Sequence, residues 1–260
     1  MILNAVYKLM IYSRNLLINM NMRMNWGVLE MNIALLTAAG TASRMRQSIP
    51  KQFLHIDNKP IIIYTMEVFQ NDPNIDALMV VTLEGWREVL LSYANQHGIT
   101  KLKWVVAGGS TGQESIYKGL KELEYSCKAQ DTVMVHDGNR PLITNEIISD
   151  SLATFKDYGV AVAAIPCNEA VFRSEDGLSS DFYIPREQLF RTQTPHTYSL
   201  GKLLWAHEEA AKMGIENSVA SCTLMQELGE KIYLSKGSEK NIKLTTMEDM
   251  EILKALLHTQ

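Results

Sequence analysis

Cysteine is scarce in this chain. The three present, Cys127, Cys167 and Cys222, are widely spaced among 260 residues. That excludes a disulfide framework and a cysteine-built zinc site, and it fits a reducing cytoplasm. No run approaches about 18 uninterrupted apolar residues, which argues against a spanning helix. Positive charge has no surplus either: 25 Lys and Arg against 29 Asp and Glu leave a net charge of −4. The broad basic field of a nucleic-acid binder is missing, so any anionic ligand must be held by local groups. What is present, 46% hydrophobic and 21% charged residues, is ordinary for a globular protein. A chain of this length buries roughly 70–75% of its unfolded surface and needs no staples. At about 150 residues per domain, the length leaves one or two domains open.

The first thirty residues differ from the rest. Six of the 14 methionines fall between Met1 and Met31. The apolar residues there form no clean run of the length a secretory signal needs, and no convincing small-residue cleavage site follows. Residues 1–30 therefore read as a non-essential extension, with residues 31–260 as one domain.

From Met31 the chain alternates between short apolar runs and amphipathic stretches. Strands are expected over Asn32–Thr37, Ala77–Leu83, Leu102–Val106, Thr132–His136 and Val160–Ile165. Helical stripes follow Pro60 (Ile61, Ile62, Thr65, Met66, Phe69), run from Trp86 to His97 and include Ile116, Gly119, Leu120 and Leu123. This pattern predicts an α/β fold: a mostly parallel, Rossmann-like sheet flanked by helices on both faces. Ligands of such sheets sit at the carboxyl ends of strands, where the glycine and charged clusters fall. Cys167–Glu187 breaks the alternation. Its turn signal, Glu175-Asp176-Gly177, lies between Val171-Phe172-Arg173 and Asp181-Phe182-Tyr183-Ile184, which reads as a protruding two-stranded arm. An isolated hairpin is marginal in water, so a second copy of the chain is expected to cover it.

The chemistry begins after the first strand, at Ala38-Ala39-Gly40-Thr41-Ala42-Ser43-Arg44-Met45, followed by Pro50-Lys51-Gln52. Small residues there let backbone N–H groups approach an anion. The loop is not a Walker sequence, because no Gly-Lys-Ser/Thr follows. With a single glycine it is not a dinucleotide fingerprint either. By itself such a loop serves a tight turn as well as an anion site. Two cations, Arg44 and Lys51, suit charge developing on a phosphoryl group.

Taken with Val135-His136-Asp137 and Arg140-Pro141, Gln193-Thr194-Pro195, and Asn241-Ile242-Lys243 with Thr245-Thr246, the loop resembles the cytidylyltransferases that act on polyol phosphates. This family includes the ribitol-5-phosphate and 2-C-methyl-D-erythritol 4-phosphate enzymes. Pro50-Lys51-Gln52-Phe53-Leu54 with Ile56-Asp57-Asn58-Lys59-Pro60 looks closer to the ribitol branch. The resemblance implies attack of a phosphate monoester oxygen on the α-phosphorus of CTP, with release of pyrophosphate. It also implies roles residue by residue. Ala38, Ala39, Gly40 and Thr41 would cradle the triphosphate, while Arg44, Lys51 and Lys243 stabilise the transition state. Gly108, Gly109 and Ser115 would meet the cytosine or ribose. Asp137 would bind Mg²⁺ beside Arg140, and Arg186 and Thr194 would hold the acceptor. The enzyme is then expected to be a cytoplasmic homodimer joined through its arm, needing neither nucleic acid nor membrane insertion.

The acceptor side departs from the family pattern. An Asp-Thr pair near the arm is replaced by Glu169-Ala170, an arginine by Gly112 and an aspartate by Ala220. Lys240 stands where methylerythritol enzymes usually carry aspartate. A lost contact to a buried substrate hydroxyl can shift specificity by orders of magnitude. The expected product is thus a CDP-polyol for a surface polymer. The isoprenoid reaction on methylerythritol phosphate is the alternative, and a catalytically weak nucleotide-binding subunit the second.

Overall fold

The structure, a computed structural model, describes residues 30–40 and 49–258. Residues 1–29 of the expected extension and the loop positions Thr41 and Arg44 lie outside the described residues.

Strand β1 (Asn32–Ala38) starts the sheet. Its side chains alternate between faces, as the period of 2 requires. Ile33 and Leu35 enter one buried cluster, whereas Ala34 and Leu36 enter the other. A small hairpin, β2 (His55–Ile56) with β3 (Lys59–Pro60), leads into α1 (Ile61–Asn71). Next come β4 (Ala77–Thr82), α2 (Arg87–Gln96), β5 (Leu102–Ala107), α3 (Gly112–Glu124) and β6 (Thr132–Asp137). Then follow α4 (Asn145–Tyr158), β7 (Ala161–Pro166), and the arm strands β8 (Phe172–Arg173) and β9 (Phe182–Tyr183). The chain finishes with β10 (Phe190–Ser199), α5 (Leu200–Met213), α6 (Ser221–Glu227), β11 (Leu234–Lys236) and α7 (Met247–Leu257).

Seven strands form the main sheet in the order β11-β7-β10-β6-β1-β4-β5. All pair in parallel except β10, which is antiparallel to both β6 and β7. Helices cover both faces, because every central strand is apolar on both sides. Ile116, Leu120 and Leu123 of α3 pack with Leu203 and Ala206 of α5 on one face. Met66 and Phe69 of α1, Leu90 of α2 and Ile147 of α4 cover the other. Helix α3 lies unusually close to the sheet. A Cβ at Gly119 would stand 2.8 Å from Val81 Cγ2 and 3.0 Å from Leu35 Cδ1, so glycine inside this helix is a packing requirement.

The topology also fixes where a ligand can bind. From β1 the chain steps outward to β4 and β5, then crosses to the other side of β1 to form β6. Strand order reverses between β1 and β6. A crevice opens at such a reversal, outside the carboxyl ends of the two strands. Those ends are Ala38-Ala39-Gly40 and Asp137.

Candidate active site

A cleft of about 550 Å³ opens at this reversal. Ala38, Ala39, Gly40, Lys51, Gly109, Ser115, Asp137, Arg140, Thr194 and Lys243 all line it, although they come from separate stretches of chain. The loop after β1 is held by the 3₁₀ turn Lys51–Phe53. Buried Gln52 donates its side-chain amide to the Ala38 carbonyl. The Lys51 stem runs alongside Gly40, where a Cβ would come within 3.9 Å of Lys51 Cε. A lysine is thereby set beside a backbone free of side-chain bulk, which suits an anion.

The loop after β5 approaches from the other side. A Cβ on Gly108 would lie 2.3 Å from Ala39 Cβ, so only glycine lets the two loops meet. The Ser115 hydroxyl donates to the Thr111 carbonyl (2.8 Å) and accepts from the Gly109 N–H (3.0 Å). Ser115 therefore fixes the shape of this loop and has its hydroxyl hydrogen engaged there. Thr111 caps α3 by accepting the Glu114 N–H (3.0 Å). Glu114 in turn accepts two bonds from Ser110. These bonds to Ser110, with Lys118 beside the carboxylate, hold Glu114 down at a pKa of about 2.

At the end of β6, Asp137 sits between two cations. Its Oδ2 accepts from Arg140 Nε at 2.8 Å and its Oδ1 from Lys243 Nζ at 2.9 Å. Burial works against the carboxylate, yet Lys243 and Arg140 outweigh it and hold the pKa well below the usual range. Arg140 is anchored by a second bond, to the Asn241 carbonyl (2.7 Å). Asn241, fully buried, donates to the Thr194 carbonyl (2.9 Å). Asn139 ties the same turn to Leu244. The Asn-Ile-Lys motif thus works as a bracket: Asn241 locks the turn, and Lys243 projects to Asp137.

The proton on His136 can be placed from its neighbours. Its Nε2 lies 3.2 Å from the Arg140 carbonyl, which can only accept, so Nε2 holds the hydrogen. Its Nδ1, 3.0 Å from Thr194 Oγ1, then accepts from that hydroxyl. Thr194 in return accepts the Asp137 N–H at 3.0 Å. Burial lowers the His136 pKa to about 3, so the ring is neutral and structural. Thr194 reaches the cleft with its hydroxyl hydrogen already directed to His136.

Uncharged side chains build another stretch of the cleft wall. Gln113, His196, His207, Ser218 and Ser221 belong to it, together with Gly112 and Ala220. Gln113 ties it together, donating to the Ile215 carbonyl and accepting the Ser218 N–H, both at 2.8 Å. Arg186 lies elsewhere. It is exposed at the base of the arm, in a smaller pocket with Phe172 and Tyr183, apart from the cleft. Sequence reasoning assigns no role to Gln52, Asn241, Gln113 or His207. The first two stand inside recognisable motifs. The partners of Gln113 are 102 and 105 residues away, beyond any local signal.

Comparison with known proteins agrees with this geometry. The sequence model of the IspD family, described as 2-C-methyl-D-erythritol 4-phosphate cytidylyltransferase, matches residues 32–259. A ribitol-5-phosphate cytidylyltransferase of Lacticaseibacillus paracasei is 41% identical over 226 residues, covering 86% of this chain and 97% of that protein. A 2-C-methyl-D-erythritol 4-phosphate cytidylyltransferase of Clostridium botulinum is 36% identical over 221 residues, covering 84% and 94%. Among solved structures, 4-diphosphocytidyl-2C-methyl-D-erythritol synthase of Anaerococcus prevotii superposes with a TM-score of 0.76. It covers 88% of this chain and 96% of its own at 20% identity, a likeness of fold. The strand-end cleft, its Asp137–Arg140–Lys243 cluster and these matches lead to one conclusion: the chain belongs to the IspD family of cytidylyltransferases.

Proposed function

We propose that the chain transfers CMP from CTP to a polyol phosphate, with a pentitol phosphate such as ribitol 5-phosphate as the acceptor. The observation that carries this reading is the charged cluster of the cleft, where Arg140 and Lys243 hold the carboxylate of Asp137 and Lys51 lines the same cleft. A phosphate oxygen of the acceptor attacks the α-phosphorus of CTP. A new P–O bond forms there, the α–β bridging bond breaks, and pyrophosphate leaves with its electron pair. Such a displacement asks the protein for alignment and for cations where negative charge accumulates. Lys243 is 41% exposed, so its ammonium can exchange Asp137 for a phosphate oxygen when substrate arrives. Arg44 belongs to the same role by resemblance.

Asp137 is the residue that would hold Mg²⁺. A single hard oxygen donor suits an ion that takes its remaining ligands from phosphates and water. Such an ion would supply neutralisation of charge on the triphosphate. The backbone at Ala38, Ala39 and Gly40 receives the phosphates, while Gly109 and the loop fixed by Ser115 and Gly108 face the nucleoside.

A homodimer completes the site in this reading. Phe172, Leu178, Phe182 and Tyr183 of the arm are 68, 92, 53 and 72% exposed, an apolar surface that a second copy would cover. The arm would then carry Arg186 to the acceptor phosphate in the partner's cleft. No helix among the described residues is long and apolar enough to cross a membrane, and we place the reaction in the cytoplasm, feeding a surface polymer.

Methylerythritol phosphate is the second candidate acceptor. The family description and the Clostridium botulinum relative favour it, whereas Gly112, Ala170, Ala220 and Lys240 depart from its pattern. The test is kcat/KM for pyrophosphate release with CTP, Mg²⁺ and each polyol phosphate in turn. Ribitol 5-phosphate is expected to exceed methylerythritol phosphate. The reverse order assigns the isoprenoid reaction, and tight CTP binding without turnover on any acceptor assigns the weak-subunit reading.

A further inference from the structure

Three polar atoms on residues of the cleft wall lack a hydrogen-bond partner among the described residues: His196 Nε2, His207 Nε2 and Ser221 Oγ. All three side chains are at least nine-tenths buried, at 3, 5 and 3% exposure, and all three residues line the cleft. A buried polar atom left unpaired carries an uncompensated loss of hydration. Three of them on residues that line one cavity indicate a ligand that satisfies them.

The chemistry of that ligand follows from the walls. The His196 ring bonds the Gln193 carbonyl through its other nitrogen, which leaves Nε2 as a pure acceptor. His207 is stacked on Tyr117, with centroids 5.3 Å apart and planes 12° from parallel. Burial lowers both histidines to a pKa of about 4, so neither ring offers a positive charge near neutral pH. The Ser221 hydroxyl can donate or accept. The three groups themselves offer no positive charge to an anion, and an apolar group would leave all three atoms unpaired. A group that both donates and accepts, the hydroxyl, meets every requirement. Gln113 keeps the wall in position by gripping Ile215 and Ser218 from across the cleft. Gly112 and Ala220 stand where the resemblance expects an arginine and an aspartate, so neither position adds a charge.

We infer that His196, His207 and Ser221 form a neutral subsite that reads hydroxyl groups on the carbon chain of the acceptor. This rests on the polyol-phosphate reading above and adds to it the residues that discriminate one polyol from another.

The test uses the full chain and two substitutions. His207→Phe keeps a ring against Tyr117 and removes the nitrogen; Ser221→Ala removes the hydroxyl with little change in volume. The measurements are KM for ribitol 5-phosphate, the preference for it over the one-carbon-shorter erythritol 4-phosphate, and the Kd of CTP by direct titration. Each variant is expected to raise the acceptor KM about tenfold, as loss of one buried hydrogen bond does. The preference over the shorter acceptor should shrink, while the CTP Kd moves less than about twofold on the same scale. An acceptor KM unmoved in both variants, an unchanged preference, or a CTP Kd that rises in step with the acceptor KM would overturn the subsite. Failure of the unsubstituted chain to use any polyol phosphate removes the polyol reading and the subsite with it. Turnover with unmoved acceptor constants removes the subsite alone.

Discussion

Asp137 shows how much a single residue depends on its setting. An isolated aspartate after a strand is as good a turn cap as a ligand, and only its motif, with His136 before it and Arg140-Pro141 after it, favours the ligand. In the fold, its two oxygens meet Arg140 and Lys243, the latter 106 positions away. Charge is held ready, and substrate phosphates can redistribute it without creating it. Replacing Lys243 by alanine is expected to lower kcat by about 10²–10³ with folding intact, the range for losing one preorganised charge contact. Steady-state kinetics beside a thermal melt check this. His196 and His207 yield a second expectation. Burial lowers both to a pKa of about 4 from an ordinary 6.5. Buried His136, lowered to about 3, acts with them. Their stabilisation is complete above pH 6.5 and is lost as pH falls toward 4, because the unfolded chain binds three protons that the folded chain refuses. The slope reaches roughly 4 kcal/mol per pH unit. Denaturant midpoints at pH 7 and pH 5 should differ accordingly, and His207→Phe should lower the slope by about a third.

Among the elements, legibility in sequence follows apolar content. The continuous runs of β1, β4, β6 and β7 are readable because strands buried on both faces carry little else, while β5, half-buried at the sheet edge, is read from Trp104-Val105-Val106. β10 is not. Phe190–Ser199 mixes polar residues with Pro195, which ordinarily argues against an interior strand. The structure accommodates the proline where the pairing with β7 shifts register between Thr192 and His196. That same irregularity places Gln193 and Thr194 at the cleft, so the feature that hides the strand also builds the site. Helices α4 and α5 escape sequence reasoning for a different reason: charged residues dilute their apolar stripes. At α3 the packing is tight enough to predict a cost. Gly119→Val pushes new atoms into Val81 and Leu35 and should destabilise by about 1–3 kcal/mol, read as a lower denaturant midpoint at unchanged slope.

For the whole molecule, one compact unit spans Met31–Gln260, and the cleft draws its walls from nearly all of it. Motifs in four distant stretches are legible as a set, because each keeps its residue types at the mouth of one strand or turn. The grouping of His196, His207 and Ser221 is not, since their polar atoms gain meaning only when the fold removes their partners. Two proposals belong to this scale. Removing residues 1–30 should leave the unfolding midpoint and activity unchanged, and a truncated chain that cannot fold would contradict that. Phe172→Ser with Phe182→Ser should shift the chain to monomer in sedimentation and raise the acceptor KM, because Arg186 no longer reaches a partner's cleft. The most direct measurement follows the phosphorus itself. With ribitol 5-phosphate, Mg²⁺ and CTP labelled at the α- or the γ-phosphate, the α label should appear in CDP-ribitol and the γ label in pyrophosphate. Release of the α label as free CMP, or of the γ label as orthophosphate, would contradict the account.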